Sequence, residues 1–169
     1  AKNKFVYFQG ILPNSIDLQS FQTELATGKT IQLSQGPGLH NTKQSFDGKY
    51  IFESTSSFGQ NQTYSVMDTK SKKNTKLITA SEPLDNYNIG ATKLDTLYAN
   101  DGTKLFSRTI FPVDFDPNKK YPAIIYVYGG PHAQMIRNTR LAQAQLWMYT
   151  LANEGFILYT LDNRGSSNR

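Results

Sequence analysis

Ala123-Ile124-Ile125-Tyr126-Val127-Tyr128-Gly129-Gly130-Pro131-His132 is the stretch of this 169-residue chain whose reading decides the fold. Six apolar or aromatic residues, several of them β-branched, run without a polar interruption and stop at Gly-Gly-Pro. A strand covered on both faces reads this way, as in a parallel sheet. Downstream, Thr139 to Glu154 carries Leu141, Ala144, Met148, Leu151 and Ala152 at helical spacing, with Gly155 placed to end the helix. Phe156 to Leu161 is a second apolar strand. The tail is therefore predicted to be a strand, helix, strand unit with a right-handed crossover, the opening of an α/β sheet.

Working toward the N-terminus, Leu94 to Ala99 and Thr103 to Phe111 read as two strands joined at Asn100-Asp101-Gly102, where glycine supplies the positive φ a hairpin turn needs. Ser81-Glu82-Pro83-Leu84-Asp85-Asn86 reads as a linker. Before it lies a weak internal repeat. Phe5-Val6-Tyr7-Phe8, Phe21 to Leu25 and Thr30 to Leu33 are answered by Tyr50 to Glu53, Tyr64 to Asp68 and Lys76 to Ile78. The offset of about 45 residues falls in the range of propeller blades. Ala26 to Lys29 and Thr69 to Lys72 read as polar turns, and Asp47-Gly48 marks another hairpin. The expected fold class is mixed: antiparallel β-propeller blades in residues 1–85, then in 86–169 the N-terminal strands and first helix of an α/β-hydrolase domain. Two blades cannot close a ring without exposing strand edges, so further blades are expected upstream of Ala1. The absence of an initial methionine fits a processed or excised segment.

Composition narrows the function classes. The chain is 38% hydrophobic, 12% aromatic and 18% charged, which excludes wholesale disorder and coiled coil. It has no cysteine, which excludes disulfide scaffolds, zinc knuckles and thiol nucleophiles. Its two histidines, His40 and His132, stand far apart with no carboxylate at ligand spacing, so no metal site and no cofactor are expected. The net charge of +5 comes from scattered lysines, and the cluster from Lys70 to Lys76 reads as a solvated turn rather than a nucleic-acid patch. No run reaches the roughly 18 apolar residues of a membrane-spanning helix.

Lys120-Tyr121-Pro122 leading into Tyr126-Val127-Tyr128-Gly129-Gly130-Pro131-His132, with Asp162-Asn163-Arg164-Gly165-Ser166 behind the helix, resembles the start of the hydrolase domain of the prolyl oligopeptidase family. The Tyr-Gly-Gly-Pro form is most similar to its dipeptidyl peptidase IV branch. The resemblance implies a serine-type exopeptidase that releases N-terminal Xaa-Pro or Xaa-Ala dipeptides. Its partners would be peptides with proline or alanine at the second position, its parent protein a homodimer, and its location the periplasm or the outside of the cell. It implies that Tyr128 contributes its hydroxyl to the oxyanion hole, with Gly129, Gly130 and Pro131 shaping the loop. Serine, acid and base are expected outside this chain, because no G-x-S-x-G turn occurs in it and Gly165-Ser166-Ser167-Asn168-Arg169 lacks the closing glycine. The 169 residues alone are expected to be inactive. An acylaminoacyl- or prolyl tripeptidyl-peptidase of the same family, or a non-catalytic propeller binding protein, are the alternatives.

Five other residues are expected to be structural. His132 is read as shaping its loop and His40 as packing a turn. Asp162 and Arg164 are read as tying the sheet to its loops, and Trp147 as a packing residue on the helix.

Overall fold

The computed structural model describes residues 4–13, 15–131 and 133–166. Its contacts divide into two units, one running to Ser81 and including Asn138–Arg140, the other holding Glu82–Arg137 and the residues from Leu141 onward.

The first unit is all strand. β1 (Phe5–Ile11) and β2 (Leu18–Glu24) pair antiparallel, and the short β3 (Thr30–Gln32) adds to β2. The register sets Phe8 opposite Phe21, and the rings stack with centroids 5.3 Å apart. Cross-strand aromatic pairs of this kind fix register as well as stabilise it. β4 (Leu39–Gln44), β5 (Tyr50–Ser57), β6 (Gln60–Asp68) and β7 (Asn74–Thr79) form an antiparallel meander. A single parallel bridge, Leu18 to Leu39, joins it to β2. The Asp47-Gly48 turn forms as expected: Gly48 has φ +71°, and Asp47 Oδ1 accepts from the Lys49 N–H and the Ser45 hydroxyl. β4 has no counterpart in the sequence reading, since Leu-His-Asn-Thr-Lys-Gln offers no apolar alternation. It is a strand because its polar groups find partners. The buried His40 ring lies 2.9 Å from Glu53 Oε1 through Nδ1 and 3.2 Å from the Gly36 carbonyl through Nε2.

In the second unit β8 (Thr92–Tyr98), β9 (Lys104–Ile110), β10 (Ala123–Tyr126) and β11 (Ile157–Leu161) form one sheet in the order β10-β11-β9-β8. β10 and β11 are parallel, the expected outcome of a strand, helix, strand connection, and the other neighbours are antiparallel. Helix α1 (Leu146–Asn153) packs Met148, Tyr149 and Ala152 on Ile110 and Leu158. Gly155, with φ +93°, ends it as predicted.

Three expectations for this unit need correction. The helix does not begin at Thr139 but at Leu146, about half the predicted length. Ala142 and Gln143 have φ +51° and +62°, outside the helical region. Main-chain groups of this stretch are taken elsewhere: the buried Arg108 guanidinium of β9 holds the carbonyls of Met135 at 3.1 Å and Ala142 at 2.6 Å, the Arg140 N–H donates to Ser56 Oγ, and the Arg140 carbonyl accepts the Gly59 N–H. The Ala142 carbonyl, inside the predicted helix, thus serves the cation instead of a helical turn. The strand predicted over Ala123–Tyr128 ends at Tyr126, leaving Val127 and Tyr128 outside the ladder. Nor is it covered on both faces: Ile124 and Tyr126 pack toward α1, while Ile125 is 68% exposed.

Candidate functional site

Tyr128 follows β10 by two residues and is 44% exposed. Among the described residues its hydroxyl makes no hydrogen bond. The ring lies over Gly130: a Cβ there would stand 2.9 Å from Tyr128 Cε1 and 3.0 Å from its hydroxyl oxygen. A side chain at Gly130 would therefore displace the Tyr128 ring, while the backbone angle of Gly130 sets no such demand. Gly129 differs, since a Cβ at that position would meet nothing within 4 Å. Pro131 is exposed, and His132 lies outside the described residues.

The loop that leaves Tyr128 is held from beneath by the residues following β11. Asp162, 2% exposed, accepts the Met135 N–H at 2.8 Å and the Ile136 N–H at 3.0 Å, one on each carboxylate oxygen. This is the sheet-to-loop tie expected of it. Charged acceptors of main-chain N–H groups make strong, directional bonds. Arg164 also serves as a tie, but at the surface, through Nε to Asp101 Oδ2 at 3.0 Å. The Arg164 side chain and then the Thr103 N–H hold the Asp101 carboxyl well below the usual carboxylate range.

Arg108 is the residue the sequence reading missed. It is 1% exposed and also donates to Thr160 Oγ1 at 3.1 Å. Burial pulls its affinity for the proton down, opposed by the charges of Tyr149, Asp162 and Tyr126. A signal existed: on β9, Phe106, Arg108 and Ile110 share one face by strand alternation, so an inward Arg could have been read. Trp147 packs as expected, edge-on to Tyr126 at 5.5 Å. Two clefts of about 610 Å3 lie away from Tyr128, one beside His40 and Glu53, the other beside Tyr87 and Leu146. Tyr128 lines neither. Among the described residues no three His, Asp or Glu side chains gather as metal ligands, and no helix is long and apolar enough to cross a membrane.

A crystal structure from Bacteroides ovatus assigned as a dipeptidyl aminopeptidase IV superposes on 99% of this chain with TM-score 0.89 and 36% identity. Dipeptidyl peptidase 4 of Sus scrofa is 31% identical over 72% of the chain, and dipeptidyl peptidase 8 of Mus musculus 25% over 98%.

The chain is a dipeptidyl peptidase IV-like segment.

No family model matches it. This dipeptidyl peptidase IV-like chain spans 24% of the Bacteroides structure and 16% and 20% of the two curated relatives.

Proposed function

We propose that this segment is the junction between a β-propeller and an α/β-hydrolase domain in a serine-type dipeptidyl peptidase. The strands through Thr79 are its last blades, the residues after about Asp85 open the catalytic domain, and the protein works outside the cytoplasm on peptides. The observation that carries the reading is Tyr128, lying just past a parallel strand, over Gly130, with its hydroxyl unengaged among the described residues.

Acylation of a serine turns the scissile carbonyl oxygen into an oxyanion, and a donor already in place there needs no reorganisation when the charge develops. The Tyr128 hydroxyl supplies that donor. Serine, acid and base lie elsewhere in the parent protein. The substrates are peptides with a free amino terminus and proline or alanine second.

The full-length protein carrying this segment is expected to release p-nitroaniline from Gly-Pro- and Ala-Ala-p-nitroanilide, and to lose that activity with a serine-directed phosphonate. Cleavage confined to N-acetylated substrates would instead indicate an acylaminoacyl peptidase. A binding protein would cleave none.

The two glycines make a sharper comparison. Gly130→Ala pushes the Tyr128 ring aside and is expected to lower kcat roughly tenfold or more, as displacement of a reacting group by a fraction of an ångström does. Gly129→Ala leaves kcat near wild type. Steady-state kinetics on both variants checks the contrast.

A further inference from the structure

We infer that Asn163 is a positioning residue for the Tyr128 hydroxyl, acting through the main chain of Tyr128; the inference rests on the oxyanion reading of that tyrosine. The β10–β11 ladder ends at Tyr126 opposite Thr160, so the backbone of Tyr128 has no strand partner to hold it. The Asn163 side chain reaches it from the loop after β11, with Nδ2 3.5 Å from the Tyr128 carbonyl oxygen.

The direction of that amide is dictated locally. The Gly165 N–H donates to Asn163 Oδ1 at 2.9 Å, an Asx turn, and the Ser166 N–H donates to the Asn163 carbonyl at 3.2 Å. Because a main-chain N–H can only donate, Oδ1 must face Gly165, and the amide NH2 is left facing Tyr128. The preceding residue, Asp162, holds the Met135 and Ile136 N–H groups at the far end of the same loop. Two consecutive residues therefore clip the loop at its two ends. Asp162 acts seven residues beyond Tyr128 and so leaves the ring's own backbone unheld, whereas Asn163 acts on the tyrosine itself.

The test is a set of variants of the full-length protein assayed on Gly-Pro-p-nitroanilide. Asn163→Ala is expected to lower kcat roughly tenfold with KM unchanged, a geometric loss felt in the transition state. Asn163→Asp keeps the acceptor for Gly165 but turns a carboxylate oxygen toward the Tyr128 carbonyl, and is expected to be as impaired as the alanine variant. In a Tyr128→Phe background, Asn163→Ala should cost nothing further, because the hydroxyl it positions is gone.

Wild-type kcat in Asn163→Asp alongside a loss in Asn163→Ala would assign Asn163 to its Asx turn alone and overturn the inference. Wild-type kcat in both would overturn it as well, as would an undiminished effect of Asn163→Ala in the Tyr128→Phe background. Tyr128→Phe by itself reports on the oxyanion reading, so the two can fail separately. Asn163 is exposed, and its variants are expected to melt with the parent protein.

Discussion

Tyr128→Phe in the full-length protein is expected to lower kcat on a Gly-Pro amide by about 10²–10³-fold, equivalent to about 2.7–4 kcal/mol of barrier, with KM little changed. The substitution removes one oxygen and keeps the ring that rests over Gly130. It should not cost folding, because among the described residues the hydroxyl has no hydrogen bond to lose and the side chain is 44% exposed. The split between kcat and KM carries the information. A donor that meets the oxygen only once it is charged acts on the transition state and not on ground-state binding. Turnover at the wild-type rate would remove Tyr128 from the oxyanion hole. A rise in KM alone would make it a substrate-binding group.

Arg108→Ala is expected to cost about 3–5 kcal/mol of stability, the range for removing one member of a buried charged network. The guanidinium donates to the Met135 and Ala142 carbonyls and to Thr160 Oγ1, and truncation leaves the two buried acceptors, on Ala142 and Thr160, without it. Each orphaned acceptor costs ~1–3 kcal/mol, to which the cavity adds. Arg108→Met refills the space but offers no donor, so it should recover only part of the loss. Burial lowers the folded-state pKa of Arg108, yet the group stays charged in both states well above neutrality, so the loss should be the same at pH 6 and pH 8. Equilibrium unfolding of the full-length variants measures it. A change within about 0.5 kcal/mol, the ordinary surface level, would show that the Arg108 hydrogen bonds contribute little to stability.

Much of the strand layout was legible because it depends on short-range chemistry. Asp47-Gly48 and Asn100-Asp101-Gly102 specify turns by the backbone angles glycine allows, and Gly48 and Gly102 adopt φ +71° and +82°. The apolar run from Ala123 and the one ending at Leu161 had to pair, and the helical segment between them made the pairing parallel. What failed failed for one reason. The first half of the predicted helix has helical spacing, but its main-chain groups are taken by Ser56, Gly59 and Arg108, all more than 30 residues away. The polar strand β4 was invisible because His40 and Glu53 satisfy each other only once β4 and β5 are side by side.

By itself the sequence determined that the chain has a strand-repeat half and a strand, helix, strand half. That pattern is legible because apolar period and turn residues are local properties, whereas the Tyr-Gly-Gly-Pro loop was marked for chemistry only by its family resemblance. Only the tertiary structure decided what holds that loop. That Asp162 takes two loop amides and that Asn163 faces the Tyr128 carbonyl follow from groups brought together by the β10–β11 pairing, and that a side chain at Gly130 but not at Gly129 would meet the Tyr128 ring follows from how the loop itself turns. A hydrogen bond between residues 35 positions apart leaves no periodic trace in the chain, because it depends on distance in space and not along the sequence.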